Sequence, residues 1–97
     1  MRRAGRVDAN HRLIVAAFRL WGCSVRSLSG VGDGMADIIV GYRGLNHLVE
    51  IKTRTGRLTS AQVDFHAAWR GRVDIVRGAD DADQLVERWR GCTNGTI

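Results

Sequence analysis

The chain has 97 residues, 44% of them hydrophobic and 26% charged. That is the composition of a globular protein with a modest core; it leaves room for one domain and excludes a disordered chain. Fifteen Lys plus Arg against ten Asp plus Glu give a net charge of +5 and a pI near 10.6, so the expected partner is polyanionic, nucleic acid before a membrane surface.

Taken in chain order, residues 1–7 read as a basic arm carrying Arg2, Arg3 and Arg6. Asp8 can cap a first helix whose apolar positions Leu13, Ile14, Ala17, Phe18 and Trp21 follow three-four spacing, with Gly22 as its stop. Residues 23–28 read as a strand, followed by the glycine-rich loop Ser29-Gly30-Val31-Gly32-Asp33-Gly34. A second strand covers residues 36–42, and Arg43-Gly44-Leu45-Asn46 turns the chain into an antiparallel third strand over residues 47–53. A basic loop over 54–57 precedes a helix opened by Thr59 and running through Trp69, with Gly71 ending it. Residues 73–76 form a fourth strand. A last helix, capped near Asp80, runs through Leu85, Val86 and Trp89 to Gly91, and residues 92–97 read as a tail. The expected architecture is α/β, in the order αβββαβα, with a mixed central sheet flanked by helices in one domain over residues 8–91. Trp21, Trp69 and Trp89 are expected in its core.

Several chemistries are disfavoured. Cys23 and Cys92 lack CxxC or Cys/His spacing, so both are expected as free thiols. Three scattered histidines offer no paired zinc-ligand spacing. No apolar run reaches the roughly eighteen residues of a membrane helix, and the start MRRAGRVDANHR lacks the apolar segment of a signal peptide, which points to the cytoplasm.

One short stretch carries chemistry. Leu48-Val49-Glu50-Ile51-Lys52-Thr53 alternates apolar and polar residues as a half-buried strand does, and puts Glu50 and Lys52 on the same face. Lys52 is the chain's single lysine. A GC-rich genome accounts for an excess of arginine but not for the exception, and a compact ammonium suits a place beside a phosphate oxygen or a water. The hairpin brings Asp37 to the neighbouring strand. If Asp37 shares the face of Glu50, two carboxylates meet, and they repel unless a cation sits between them. Oxygen donors call for Mg2+, with Mn2+ as substitute, held by Asp37, Glu50 and the backbone carbonyl of Ile51.

Gly34-Met35-Ala36-Asp37, a hairpin, Glu50-Ile51-Lys52 and a helix bearing Gln62 resemble the PD-(D/E)XK nuclease superfamily. Within it the chain is similar to the small VRR-NUC and phage endonucleases and to archaeal-type Holliday junction resolvases. The likeness spans roughly residues 8–76. It implies a restriction-endonuclease-like fold and a metal-dependent endodeoxyribonuclease with Asp37, Glu50 and Lys52 as catalytic residues. It also implies branched DNA as substrate, a homodimer that nicks two strands symmetrically, and a phage-infected or bacterial cell. A flap or duplex nuclease, or a non-catalytic DNA-binding module of the same fold, are the alternatives.

Ala36 stands where the family motif has proline, which removes no ligand. In the resolvases the first helix supplies a glutamate, and the matching position here is His11, with Asn10 and Asp8 nearby; Asp8 serves equally as a helix cap. Ser29 resembles a loop serine that meets the phosphate backbone. Gln62 resembles the superfamily's helical glutamine, yet Thr59-Ser60-Ala61-Gln62 is also a capping box. His66, one turn further, can share its face, while His47 is expected to point away from the site. Arg54, Arg57 and the arm Arg2, Arg3, Arg6 are the expected phosphate contacts, together with Ser29, Gln62 and His66. For the dimer, the expected interface comprises Leu85, Val86 and Trp89 on the last helix and the turn near Tyr42 and Leu45, the alternative being a monomer that folds them onto its own sheet.

Overall fold

The computed structural model describes the backbone of residues 2–95 and the side chains of residues 9–91. Its elements run α1 (Arg2–Leu20), β1 (Ser24–Ser27), β2 (Ile38–Tyr42), β3 (Leu45–Ile51), α2 (Ser60–Ala68), β4 (Val73–Val76) and α3 (Ala79–Gly95). This is the expected αβββαβα order. The four strands form one mixed sheet in the order β1-β2-β3-β4, antiparallel except for the parallel pair β3–β4.

The hairpin is tighter than four turn residues would make it. Tyr42 pairs with Leu45, leaving Arg43 and Gly44 alone at the tip, with φ of 50° and 82°. Two left-handed central residues make a type I′ turn, whose twist matches that of the flanking strands and fixes their register. The register places Ile38 opposite Val49 and Val40 opposite His47, and it decides which side chains can share a face.

One face of the sheet carries the core. Ile38, Val40, Val49, Val76 and Val25 pack with Ile14 and Phe18 of α1 and with Leu85, Val86 and Trp89 of α3. Burying each large side chain contributes about 1.5–3 kcal/mol. Phe18 stacks on Trp89 at 5.8 Å between ring centroids, and the Trp21 indole N–H donates to Asp83 at 2.9 Å, which locks α1 to α3. Cys23 is a buried free thiol whose pKa burial raises. His47 lies on this same face, its ring 3.7 Å from that of Trp89 and parallel to it, so it points away from Glu50.

Four expectations are corrected. Helix α1 begins at Arg2, so Asp8 lies inside it rather than at its cap; the side chains of Asp8, Arg2, Arg3 and Arg6 fall outside the described ones, as do those of 92–97. Helix α3 begins at Ala79, ahead of Asp80, and continues past Gly91 to Gly95. Leu85, Val86 and Trp89 are 1%, 0% and 4% exposed, and Tyr42 is buried with them, so the apolar side of α3 is consumed by the sheet of its own chain and Leu45 alone of that group remains exposed. Trp69 is not core. Helix α2 has no buried residue, and Trp69 stays 45% exposed, stacked on Phe65 at 5.2 Å. Among the described residues no helix is long and apolar enough to cross a membrane.

Candidate active site

Alternation along β3 separates core from site. Val49 faces α1 and α3, so Glu50 points to the opposite face. Pairing of Ile38 with Val49 carries the neighbouring Asp37 to the position opposite Glu50, where the glycine loop delivers the chain into β2. The loop takes a sharp path, with Gly32, Asp33 and Gly34 all at positive φ. At Gly34 a Cβ would run into the backbone carbonyl of Ala61, so the missing side chain is what lets the loop close against the start of α2.

Glu50 is 1% exposed, the only buried charged residue among those described. Its Oε2 accepts a hydrogen bond from Gln62 Nε2 at 3.0 Å and lies 3.9 Å from Lys52 Nζ; its Oε1 is buried and has no donor. Burial first, then a hydrogen bond shared with the adjoining Asp37 carboxylate and the charge of that carboxylate, push the Glu50 pKa up from 4.5 to about 8, against the opposing pull of Lys52. Asp37 Oδ2 accepts from the backbone N–H of Ile51 at 2.7 Å, which orients that carboxylate across the strand pair. Asp37, Glu50 and Lys52 therefore do converge on one patch.

Gln62 closes the capping box and also reaches Glu50. Its Oε1 accepts from the Thr59 N–H at 2.8 Å while Thr59 Oγ1 accepts from the Gln62 N–H at 3.2 Å, completing the capping box. Its amide nitrogen is thereby left to face Glu50. His66, one turn on, is half-buried with Nε2 unpartnered, edge-on to Phe65 at 6.1 Å.

Other expected residues sit apart. Ser29 is exposed and bonded to Ser27, its hydroxyl and its N–H both meeting Ser27 Oγ, with no hydrogen bond to the carboxylates. His11 lines a separate cavity of about 690 Å³ between α1 and β1, with Val15, Arg19 and Val25. The first helix reaches the site through Asn10, whose amide donates to the backbone carbonyls of Lys52 and Arg77 at 3.3 and 3.4 Å. Arg54 and Arg57 are exposed on the loop after Lys52. No sequence motif singles out Arg77, at the end of β4; only the tertiary approach of β4 to that loop gives it a role.

Among the described residues no three of His, Cys, Asp and Glu gather in one place. Two carboxylates do, with one buried oxygen lacking any donor, beside the carbonyl-bearing backbone of Ile51. An all-oxygen set of this kind fits a hard divalent cation and is unsuited to a soft one. The fit requires Glu50 to release its proton.

Comparison with solved structures supports the architecture. The chain is similar to a solved VRR_NUC domain, with a TM-score of 0.70 at 24% sequence identity, over 86% of this chain and 96% of that one. No protein-family profile and no curated protein matches it. The likeness is one of fold: this is the restriction-endonuclease-like fold of VRR-NUC domains, with mixed sheet and flanking helices.

Proposed function

We propose that the chain is a metal-dependent DNA endonuclease, with Asp37, Glu50 and the Ile51 carbonyl holding Mg2+ and Lys52 completing the site. The observation that carries this reading is the buried Glu50 beside Asp37, two carboxyl groups facing one position with the Glu50 pKa raised to about 8. Burial and the hydrogen bond with Asp37 keep a proton on Glu50, and a cation bound between the two carboxyl groups would displace it. When bound, Mg2+ supplies a Lewis acid at the phosphodiester and a water acidified toward neutral pH.

The protein's own groups do the rest. Gln62 holds Glu50 in orientation through one oxygen, leaving the other toward Asp37. Lys52 places a compact positive charge 3.9 Å from that carboxylate, where it neutralises charge building on the phosphate and orients the attacking water. Arg54 and Arg57 stand exposed on the adjoining loop, positioned for phosphates of the same strand. The net charge of +5 favours association with DNA.

Branched DNA is the substrate that the resemblance to junction resolvases favours, cut by a homodimer presenting two sites. With the apolar side of α3 consumed, the surface left for such a contact includes Leu45, Val63, Trp69 and Ile75, each at least 39% exposed. Labelled duplex, flap and four-way junction incubated with Mg2+ or with chelator test the reading. Chelator-sensitive nicks are expected, strongest on the junction. Binding without cleavage on all three would leave a DNA-binding module and overturn the enzyme.

A further inference from the structure

Two hydrogen bonds hold the Lys52 backbone, one of them from the Asn10 amide, and a third ties the same amide to the end of β4. The Lys52 N–H donates to the Val76 carbonyl at 3.0 Å, continuing the parallel β3–β4 pairing one residue past the strand. Its carbonyl accepts from Asn10 Nδ2 at 3.3 Å, and the second proton of that amide reaches the Arg77 carbonyl at 3.4 Å. One side chain of α1 thus bridges the ends of both parallel strands.

Arg77 extends the bridge into the loop. Its Nη1 donates to the backbone carbonyls of Thr53 at 2.7 Å, Gly56 at 2.7 Å and Arg54 at 3.3 Å, while its own N–H is held by Asp81 Oδ2 at 2.9 Å. Among the described residues no carboxylate pairs with its guanidinium. Nη1 is spent on main-chain oxygens of one short segment, which ties this side chain to the loop. Arginine suits the task because Nη1 lies one atom further from the backbone than a lysine ammonium would, and its two protons are shared among the three carbonyls.

We propose that Asn10 and Arg77 are positioning residues of the site: Asn10 fixes the backbone that aims Lys52, and Arg77 shapes the loop over 53–57 that presents Arg54 and Arg57 to DNA. Neither touches the reacting atoms. The inference rests on the nuclease reading for its catalytic consequence but not for its structural one. A lysine aimed at a reacting phosphate tolerates little displacement, since catalytic geometry must be held within roughly 0.5 Å.

The test uses Asn10→Leu, Arg77→Gln and Arg77→Lys in the full chain, each checked for folding by thermal melting. Asn10→Leu should lower the single-turnover cleavage rate at least ~10-fold with DNA Kd changed less than about threefold, because it acts through Lys52. In a Lys52→Ala background the same substitution should cost no further rate, the non-additivity of two residues acting as one. Arg77→Gln should weaken DNA binding as well as cleavage, and Arg77→Lys should restore little. Hydrogen exchange read on the amides of residues 53–57 is independent of activity: it should quicken in both Arg77 variants, even if the parent cuts nothing, in which case the nuclease reading alone fails. Full cleavage by a folded Asn10→Leu, additive losses with Lys52→Ala, or unchanged loop exchange in Arg77→Gln would each overturn the proposal.

Discussion

Glu50→Gln is the most informative single change, because it removes a charge while keeping shape and one hydrogen bond. In the parent, Glu50 is buried with a pKa near 8 against an ordinary 4.5. Its folded-state pKa is raised, so its contribution to stability is fully present below pH 4.5 and is lost as pH rises through 8. The displacement corresponds to a ceiling of about 5 kcal/mol at ~1.4 kcal/mol for each pH unit. Lys52, 3.9 Å away, loses a favourable partner in the variant and offsets part of that. The carbonyl of the substituted side chain can still accept from Gln62, and its amide can donate toward Asp37. The expected gain in chelator at pH 8.5 is therefore ~2–4 kcal/mol, a rise in melting temperature of roughly 10 °C or more for a domain of this size. Melts of parent and variant from pH 4 to 9 measure it: the two curves should meet near pH 4.5 and separate up to pH 8. A variant no more stable than its parent at pH 8.5, with a difference flat across the range, would refute the buried-charge account.

Further outcomes follow from the same geometry. Asp37→Ala and Lys52→Ala should each lower cleavage at least ~10²-fold with DNA affinity nearly intact in a filter-binding assay, and Lys52→Arg should not rescue, since a planar fork replaces a point charge poorly. Gln62→Ala removes the capping box as well as the bond to Glu50, so chemical denaturation should show a loss of ~1–3 kcal/mol. Gly34→Ala sets a Cβ against the Ala61 carbonyl at a φ of +80°; it should cost ~1–3 kcal/mol by the same measurement and slow cleavage by displacing α2 and Gln62.

The gathering of the candidate site's residues was more legible in the sequence than the packing around them. Asp37, Glu50 and Lys52 were legible because β-strand alternation and a two-strand hairpin convert spacing directly into a shared face, and Gln62 because a capping box announces itself locally. Trp69 misled because three-four spacing marks an amphipathic helix without saying whether the sheet extends far enough to cover it. Leu85, Val86 and Trp89 are equally fit for a partner or for the chain's own sheet, and only packing decides between them. Arg77 carries no local signal at all: its guanidinium meets carbonyls more than twenty residues away, a contact created by the parallel β3–β4 crossover.

Divalent-ion binding reads the central claim without relying on any choice of substrate. Mn2+ titration followed by electron paramagnetic resonance should find one bound ion in the parent that is lost in Asp37→Asn. Because Glu50 must release its proton first, affinity should rise about tenfold for each pH unit from 6 to 8 and level off above. Binding that survives Asp37→Asn, or that is indifferent to pH over this range, would contradict the assignment of Asp37 and Glu50 as the metal site.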